Sequence, residues 1–228
     1  MRYKTVLFDA DGTLLDFLRS EREALSEALL EIGVVADEEM IKAYSQINDS
    51  LWKLLEKKEI ERSVLVYRRF EMLFERYGIE SDAMAISDRY INIISTKGYM
   101  LDGALSLLEK LYGKVRMYII TNGAEVVQRG RYEKLSLYKF FDGFFISECV
   151  GVNKPDVRFF ERVSNDIEGF DRESTIVVGD SLSSDIKGGN SFGLDTCWYN
   201  PLHKTASEDI VPKYTAYTFD EVERIILG

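Results

Sequence analysis

The chain has 228 residues, of which 46% are hydrophobic and 30% charged, a balance that fits a folded globular protein and excludes a disordered or low-complexity one. Its 29 lysines and arginines against 39 aspartates and glutamates leave a formal charge of −10, which repels nucleic-acid polymers and anionic membrane surfaces but leaves a small phosphorylated ligand open. Cys149 and Cys197 share no Cys-x-x-Cys spacing and His203 is the one histidine, which excludes a disulfide framework, a zinc site, a Ser-His-Asp triad and a two-histidine metal centre and makes both cysteines expected buried thiols.

Met1-Arg2-Tyr3-Lys4 runs directly into the apolar segment Val6-Leu7-Phe8, so no signal peptide is expected; no apolar stretch approaches membrane-spanning length, and a cytoplasmic location is expected. Behind that first strand comes Asp9-Ala10-Asp11-Gly12-Thr13. Residues i and i+2 of a strand share a face, so Asp9 and Asp11 are expected in one pocket, with Gly12 turning the backbone away. From about Leu18 to Lys97 the strand pattern is absent and helix formers dominate, which predicts four amphipathic helices. The first opens on a capping box of Ser20 and Glu23, with Leu25, Leu29 and Ile32 on its apolar face and Gly33 as its stop. The others run over Asp37 to Lys57, Glu61 to Tyr77 and Asp82 to Thr96, with Gly78 closing the third. Residues 18–97 thus form an inserted helical bundle, placed as a lid over the remainder, 1–17 and 98–228.

In that remainder, short β-branched or aromatic runs over Val115 to Ile120, Gly143 to Ser147, Thr175 to Val178 and Thr196 to Tyr199 read as buried parallel strands. Helical stretches over Ala104 to Tyr112, Glu125 to Leu135, Val157 to Asn165 and Ser184 to Phe192 alternate with them, which predicts an α/β fold with a doubly wound, Rossmann-like parallel sheet. Ligands of such sheets bind outside the carboxyl ends of the strands, where Asp9 and Asp11 are expected.

The other strand ends carry polar signatures of their own. Thr121-Asn122-Gly123 follows the second strand and offers a hydroxyl and backbone N–H groups to an anion. In Asn153-Lys154-Pro155 the proline starts a helix and leaves Lys154 able to reach a site as a compact cation. Gly179-Asp180-Ser181-Leu182-Ser183-Ser184-Asp185 adds two more carboxylates, and four acids converging on one edge require a metal.

In this order the motifs resemble those of the haloacid dehalogenase superfamily of phosphohydrolases: Asp9-Ala-Asp11-Gly-Thr-Leu first, Thr121 second, Lys154 third, and Gly179-Asp180 through Asp185 fourth. Ile119-Ile-Thr-Asn-Gly123, Ile146-Ser-Glu148 with Val150-Gly-Val-Asn-Lys-Pro155, and Thr196-Cys-Trp-Tyr-Asn200 are similar to the noncanonical pyrimidine nucleotidases within it. The resemblance implies a phosphomonoesterase in which Asp9 is the nucleophile that becomes an aspartyl-phosphate and Asp11 the general acid and base. It implies Mg²⁺ held by Asp9, the Asp11 carbonyl and Asp180, with Asp185 orienting a metal-bound water, and phosphoryl oxygens held by Thr121, Asn122 and Lys154.

Base recognition is expected from the helical insert, where Asn48 and Trp52 stand four apart on one helix face, while Tyr67, Phe70 and Phe74 recur at helical spacing and are expected in the core. Phe17 and Leu18 are expected to line the pocket floor or to hinge the insert. The expected substrate is a small phosphomonoester, a pyrimidine nucleoside 5′-monophosphate first. A sugar-phosphate or phosphoglycolate phosphatase, a phosphoglucomutase-like enzyme and a non-catalytic phosphometabolite-binding module are the alternatives. The oligomeric state stays open, and a monomer is compatible with a lid of this size.

Overall fold

In the computed structural model, which describes residues 2–228, six strands form one all-parallel sheet: β1 (Thr5–Phe8), β2 (Arg116–Thr121), β3 (Gly143–Ile146), β4 (Thr175–Gly179), β5 (Asp195–Tyr199) and β6 (Tyr214–Ala216). Their spatial order is β3-β2-β1-β4-β5-β6. β1 is central, with Phe8 in register with Ile119 of β2 and Val178 of β4. From β1 the chain winds outward through β2 and β3, then returns to β4 on the other flank. The switch point therefore lies at the carboxyl end of β1, where a doubly wound sheet leaves a crevice.

The central strands are apolar at nearly every position because both faces are covered. Val6, Phe8, Ile119, Ile176 and Val178 pack on one face with residues of helices α5 (Ala104–Leu111) and α10 (Phe219–Leu227). Leu7, Ile120 and Val177 pack on the other with Phe159, Phe160 and Val163 of α8 (Val157–Asp166) and with Phe192 of α9 (Lys187–Phe192). Helix α6 (Glu125–Lys134) follows β2, the single turn α7 (Ser147–Val150) follows β3, and a π-helical turn over Leu182–Ile186 leads into α9.

Between β1 and β2 lie α1 (Phe17–Leu30), α2 (Glu38–Glu56), α3 (Arg62–Tyr77) and α4 (Ala83–Ser95), which enclose an apolar core of their own. Asp37 and Asp82 cap α2 and α4 by accepting backbone N–H groups, and Gly78, at φ 64°, ends α3 in the left-handed conformation. Phe70 sits at the centre, with ring centroids 5.2 Å from Tyr44, 5.5 Å from Tyr90 and 6.2 Å from Phe74. Among the described residues no helix is long and apolar enough to cross a membrane.

Several local expectations differ from the structure. Helix α1 starts three residues before Ser20, because the Asp16 side chain already accepts from Arg19 N at 3.0 Å. The Ser20 hydroxyl instead donates to the carbonyls of Asp16 and Lys97, tying the entry of the helical insert to its exit, and no capping box forms there. A capping box does form at α10, between Thr218 and Glu221. Helix α8 begins behind Asp156 rather than at Pro155, because Asp156 accepts from Arg158 N and serves as its cap. Cys149 is exposed and only Cys197 is buried, because α7 lies at the surface end of β3 while Cys197 is central in β5. Strand β6 and helix α10 lie beyond the expected elements.

Truncating Phe70 should leave a cavity among three aromatic neighbours. Phe70→Ala is expected to lower unfolding free energy by about 3–5 kcal/mol, measured by urea denaturation.

Candidate active site

The carboxyl end of β1 delivers Asp9 into the crevice, with Asp9 N held by the Val178 carbonyl at 2.9 Å. One oxygen of Asp9 accepts from Lys154 Nζ at 2.8 Å and the other from the Thr13 hydroxyl at 3.1 Å. The Thr13 oxygen in turn accepts from Asp180 N at 3.0 Å, so one hydroxyl ties the first and fourth motifs together. Gly12, at φ 84°, makes this approach possible: a Cβ there would stand 2.7 Å from Asp180 Oδ2.

Lys154 is almost fully buried and spends all three ammonium protons, on Asp9 Oδ1 at 2.8 Å, the Ile120 carbonyl at 2.8 Å and Asp185 Oδ1 at 2.6 Å. The second Asp185 oxygen accepts from Ser181 N at 3.1 Å. The expected phosphate ligand Asn122 has another task here. Its side chain makes reciprocal bonds of 2.9 Å to the backbone N–H and carbonyl of Lys154, so it fixes where the lysine starts. Thr121 Oγ1 accepts from Gly123 N at 3.0 Å, which closes the turn after β2.

Asp11 stands apart from this cluster. Its carboxylate accepts from Arg131 Nη1 at 2.6 Å and Gln128 Nε2 at 2.5 Å. Both partners come from α6, one turn apart on one face, and Arg131 is wholly buried. Neither was singled out in the sequence, although their three-residue spacing just after Thr121-Asn122-Gly123 was a usable signal. Thr13 was quoted there only as part of a motif. Trp198, whose indole N–H donates to the Asp180 carbonyl at 2.9 Å, and Lys204, whose Nζ lies 4.0 Å from Asp180 Oδ2, reach the site from β5 and the loop beyond it.

Asp9, Asp180 and Asp185 each offer a carboxylate oxygen, and these lie within 4.8 Å of one another. Burial, then the charge of Asp185, pushes Asp180 up to about 7. Burial and the same neighbour hold Asp9 well above the usual carboxylate range in spite of Lys154. Burial pulls the Lys154 ammonium down, but the carboxylates of Asp185 and Asp9 outweigh it and raise its pKa. Three carboxylates thus face one fully engaged ammonium, an excess of negative charge carried by hard oxygen donors. That donor set fits a hard divalent cation.

These groups line one side of a cavity of about 610 Å³, within the range of small-molecule sites. The helical insert supplies the opposite side, including Asn48, Trp52, Arg69 and Tyr90, and Phe17 also lines it while Leu18 is exposed. Both amide groups of Asn48 are engaged inside the insert, donating to Glu21 at 3.0 Å and accepting from Arg69 at 3.1 Å. Trp52 lies under the Arg62 guanidinium, 5.3 Å from it. Phe70 and Phe74 are core residues, as their spacing predicts, whereas Tyr67, expected with them, is half-buried and outside that core. Polar contacts that bridge the insert to the core include Arg62 to Ser147 and Asn153 at 2.9 Å each, Ser183 to Glu56 at 2.8 Å, and Lys58 to Asp156 at 2.8 Å.

Known proteins are similar to the chain over most or all of its length. Residues 3–193 match the family model described as haloacid dehalogenase-like hydrolase. Pyrimidine 5′-nucleotidase PynA of Streptococcus pneumoniae is 40% identical over 223 residues, covering 97% of this chain and 94% of that protein. Pyrimidine 5′-nucleotidase YjjG of Escherichia coli is 34% identical over 226 residues, 99% of each chain. The crystal structure of the putative HAD-hydrolase YfnB of Bacillus subtilis, bound to magnesium and described as revealing interdomain movement, superposes with a TM-score of 0.95 at 36% identity over 100% of both chains. A likeness of this extent, in sequence and in fold, makes the chain a member of the haloacid dehalogenase-like hydrolases.

Proposed function

We propose that the chain is a Mg²⁺-dependent 5′-nucleotidase that hydrolyses pyrimidine nucleoside monophosphates in the cytoplasm through an aspartyl-phosphate on Asp9. One observation carries the reading: the cluster of Asp9, Asp180, Asp185 and Lys154 shares a single cavity with the aromatic and polar residues of the helical insert. The first group suits a phosphate and its metal, the second a planar base. The relatives named pyrimidine 5′-nucleotidase at 40% and 34% identity support the same substrate class, and the magnesium-bound relative supports the metal.

Unaided hydrolysis of phosphate monoesters is extremely slow, so a catalyst must supply a nucleophile, charge neutralisation and a proton for the leaving group. Asp9, oriented by Lys154 and Thr13, presents a carboxylate oxygen that bonds to phosphorus as the bond to the 5′ oxygen breaks. Asp11 gives that oxygen a proton, then takes one from the water that displaces Asp9 and releases inorganic phosphate. Arg131 and Gln128 hold Asp11 in place for both transfers. Thr121 and the turn at Asn122 hold phosphoryl oxygens, and Lys154 keeps the nucleophile and Asp185 together. Asp9, the Asp11 carbonyl and Asp180, with Asp185 beside them, would hold Mg²⁺, which when bound would supply charge neutralisation to the phosphoryl group. Residues 18–97 act as a cap domain on the core of 1–17 and 98–228, joined to it near Phe17 and Gly98 and latched by Arg62, Glu56 and Lys58.

The reading is tested by phosphate release from UMP, dUMP, TMP, ribose 5-phosphate and phosphoglycolate, each with Mg²⁺ and with chelator. Metal-dependent release favouring the nucleotides is expected. Preference for a sugar phosphate would move the chain to another substrate class, and no release at all would make it a binding module. Asp9→Asn is expected to lower kcat by roughly three orders of magnitude or more, with labelled phosphate trapped on the wild-type chain and absent from the variant.

The metal site also predicts a pH dependence of stability. An aspartate carried at about 7 when folded and near 3.9 when unfolded binds more protons in the folded state between those values. Its penalty is absent below about pH 4 and complete above about pH 7. Asp180→Asn removes it, so in chelator the variant's melting temperature is expected to rise relative to wild type across that interval. Added Mg²⁺ should stabilise wild type and cancel the advantage. A pH-independent difference would mean that Asp180 is already ionised in the metal-free protein.

A further inference from the structure

Three buried polar side chains form a relay across the helical insert. Glu21 on α1, only 2% exposed, accepts from Asn48 Nδ2 at 3.0 Å and also takes the Ser45 hydroxyl. Asn48 on α2 turns its carbonyl oxygen to Arg69 Nη1 at 3.1 Å. Arg69 on α3 spends its Nε–H on the Val66 carbonyl at 3.0 Å and stands 4.7 Å over the ring of Tyr90. Glu21 does not border the cavity, whereas Asn48 and Arg69 do. Arg69 Nη2 makes no hydrogen bond to any described residue, is not among the fully enclosed unpartnered atoms, and belongs to a side chain that lines the cavity.

Three helices therefore converge to hold a guanidinium that is itself 5% exposed, lines the cavity and keeps one nitrogen without a partner among the described residues. A guanidinium only donates, so the group it meets must accept. Tyr90 lies under it, and Trp52 with aliphatic Val66, Ile91 and Ile94 lines the same cavity, a setting that suits a planar ring. Arg69 is linked through Asn48 to Glu21, so part of its charge is already compensated, which favours a neutral acceptor over a second anion.

On the proposed nucleotidase function, we infer that Arg69 reads the pyrimidine base by donating from Nη2 to a ring carbonyl oxygen, and that Glu21 and Asn48 position it. Asn48 then serves specificity through Arg69 and not by touching the base with its amide. A purine-sized, carbonyl-poor base such as adenine loses this contact, while uracil, thymine and cytosine all retain at least one carbonyl.

The test compares kcat/KM for UMP, CMP, AMP and ribose 5-phosphate in wild type, Arg69→Met and Arg69→Lys. Methionine keeps the stem and removes every donor; lysine keeps the charge and removes the fork. In both variants the UMP to ribose 5-phosphate ratio is expected to fall roughly 10- to 100-fold, the worth of one hydrogen bond to a charged group. Most of the fall should appear in KM. An equal fall for UMP and CMP assigns the contact to the 2-carbonyl they share, a larger fall for UMP to the 4-carbonyl. Glu21→Gln should lower the same ratio by a smaller factor, which keeps the test open should Arg69→Met fail to fold. A ratio unchanged in all variants that melt cooperatively overturns the inference alone. A wild-type enzyme with no preference for UMP over ribose 5-phosphate overturns the nucleotidase reading and, with it, this role for Arg69.

Discussion

A buried ammonium holds the site together. Lys154 brings a full charge into a place almost without water, which is untenable unless each of its protons has a partner. The partners are Asp9 from β1, Asp185 from the turn after β4 and the Ile120 carbonyl of β2, so one side chain draws three strand ends to a common point. The Asn122 side chain clamps the lysine's own backbone from the end of β2, which fixes the origin of that reach. Asp180 is tied in through Thr13, and the doubly wound order of the sheet leaves the crevice in which all of this fits. The carboxylates exceed the cation in number, and Asp180, raised by burial first and then by the charge of Asp185, is left in need of a proton or a metal.

The helical insert repeats the same logic with its own buried charge. Glu21, pushed up to about 7 by burial, is matched through Asn48 to Arg69, and the chain of bonds ends at the cavity. The sheet side supplies the chemistry of a phosphate and the insert the chemistry of what the phosphate is attached to. The polar bridges from Arg62, Glu56 and Lys58 keep the two sides facing each other, and they are few and partly exposed, which suits surfaces that must separate for substrate to enter.

The central strands and the four inserted helices were legible in the sequence because burial on two faces or on one face of a helix leaves a periodic trace. β6 was not, since two half-buried residues and one buried alanine carry no such trace. Ser20 and Glu23 had the spacing of a capping box, yet Asp16 took the cap, and Ser20 was drawn to Lys97 O, 77 residues away. Asn48 and Trp52 were found as cavity residues by their position on one helix face, but nothing local marked Asn48 as the middle of a relay.

By itself the sequence determined the chemical inventory and its order: which acids, which lysine and which hydroxyl stand at strand ends, and that these ends converge on one edge. Those properties are local, set by side-chain alternation and by the order of strands and helices. The tertiary structure decided who pairs with whom. Asp11 meets Arg131 across 120 residues of chain, Lys154 meets Asp9 across 145, and Arg69 meets Asn48 across 21 from a neighbouring helix. Such pairings depend on how packed elements meet in space, and no periodicity within one element records them.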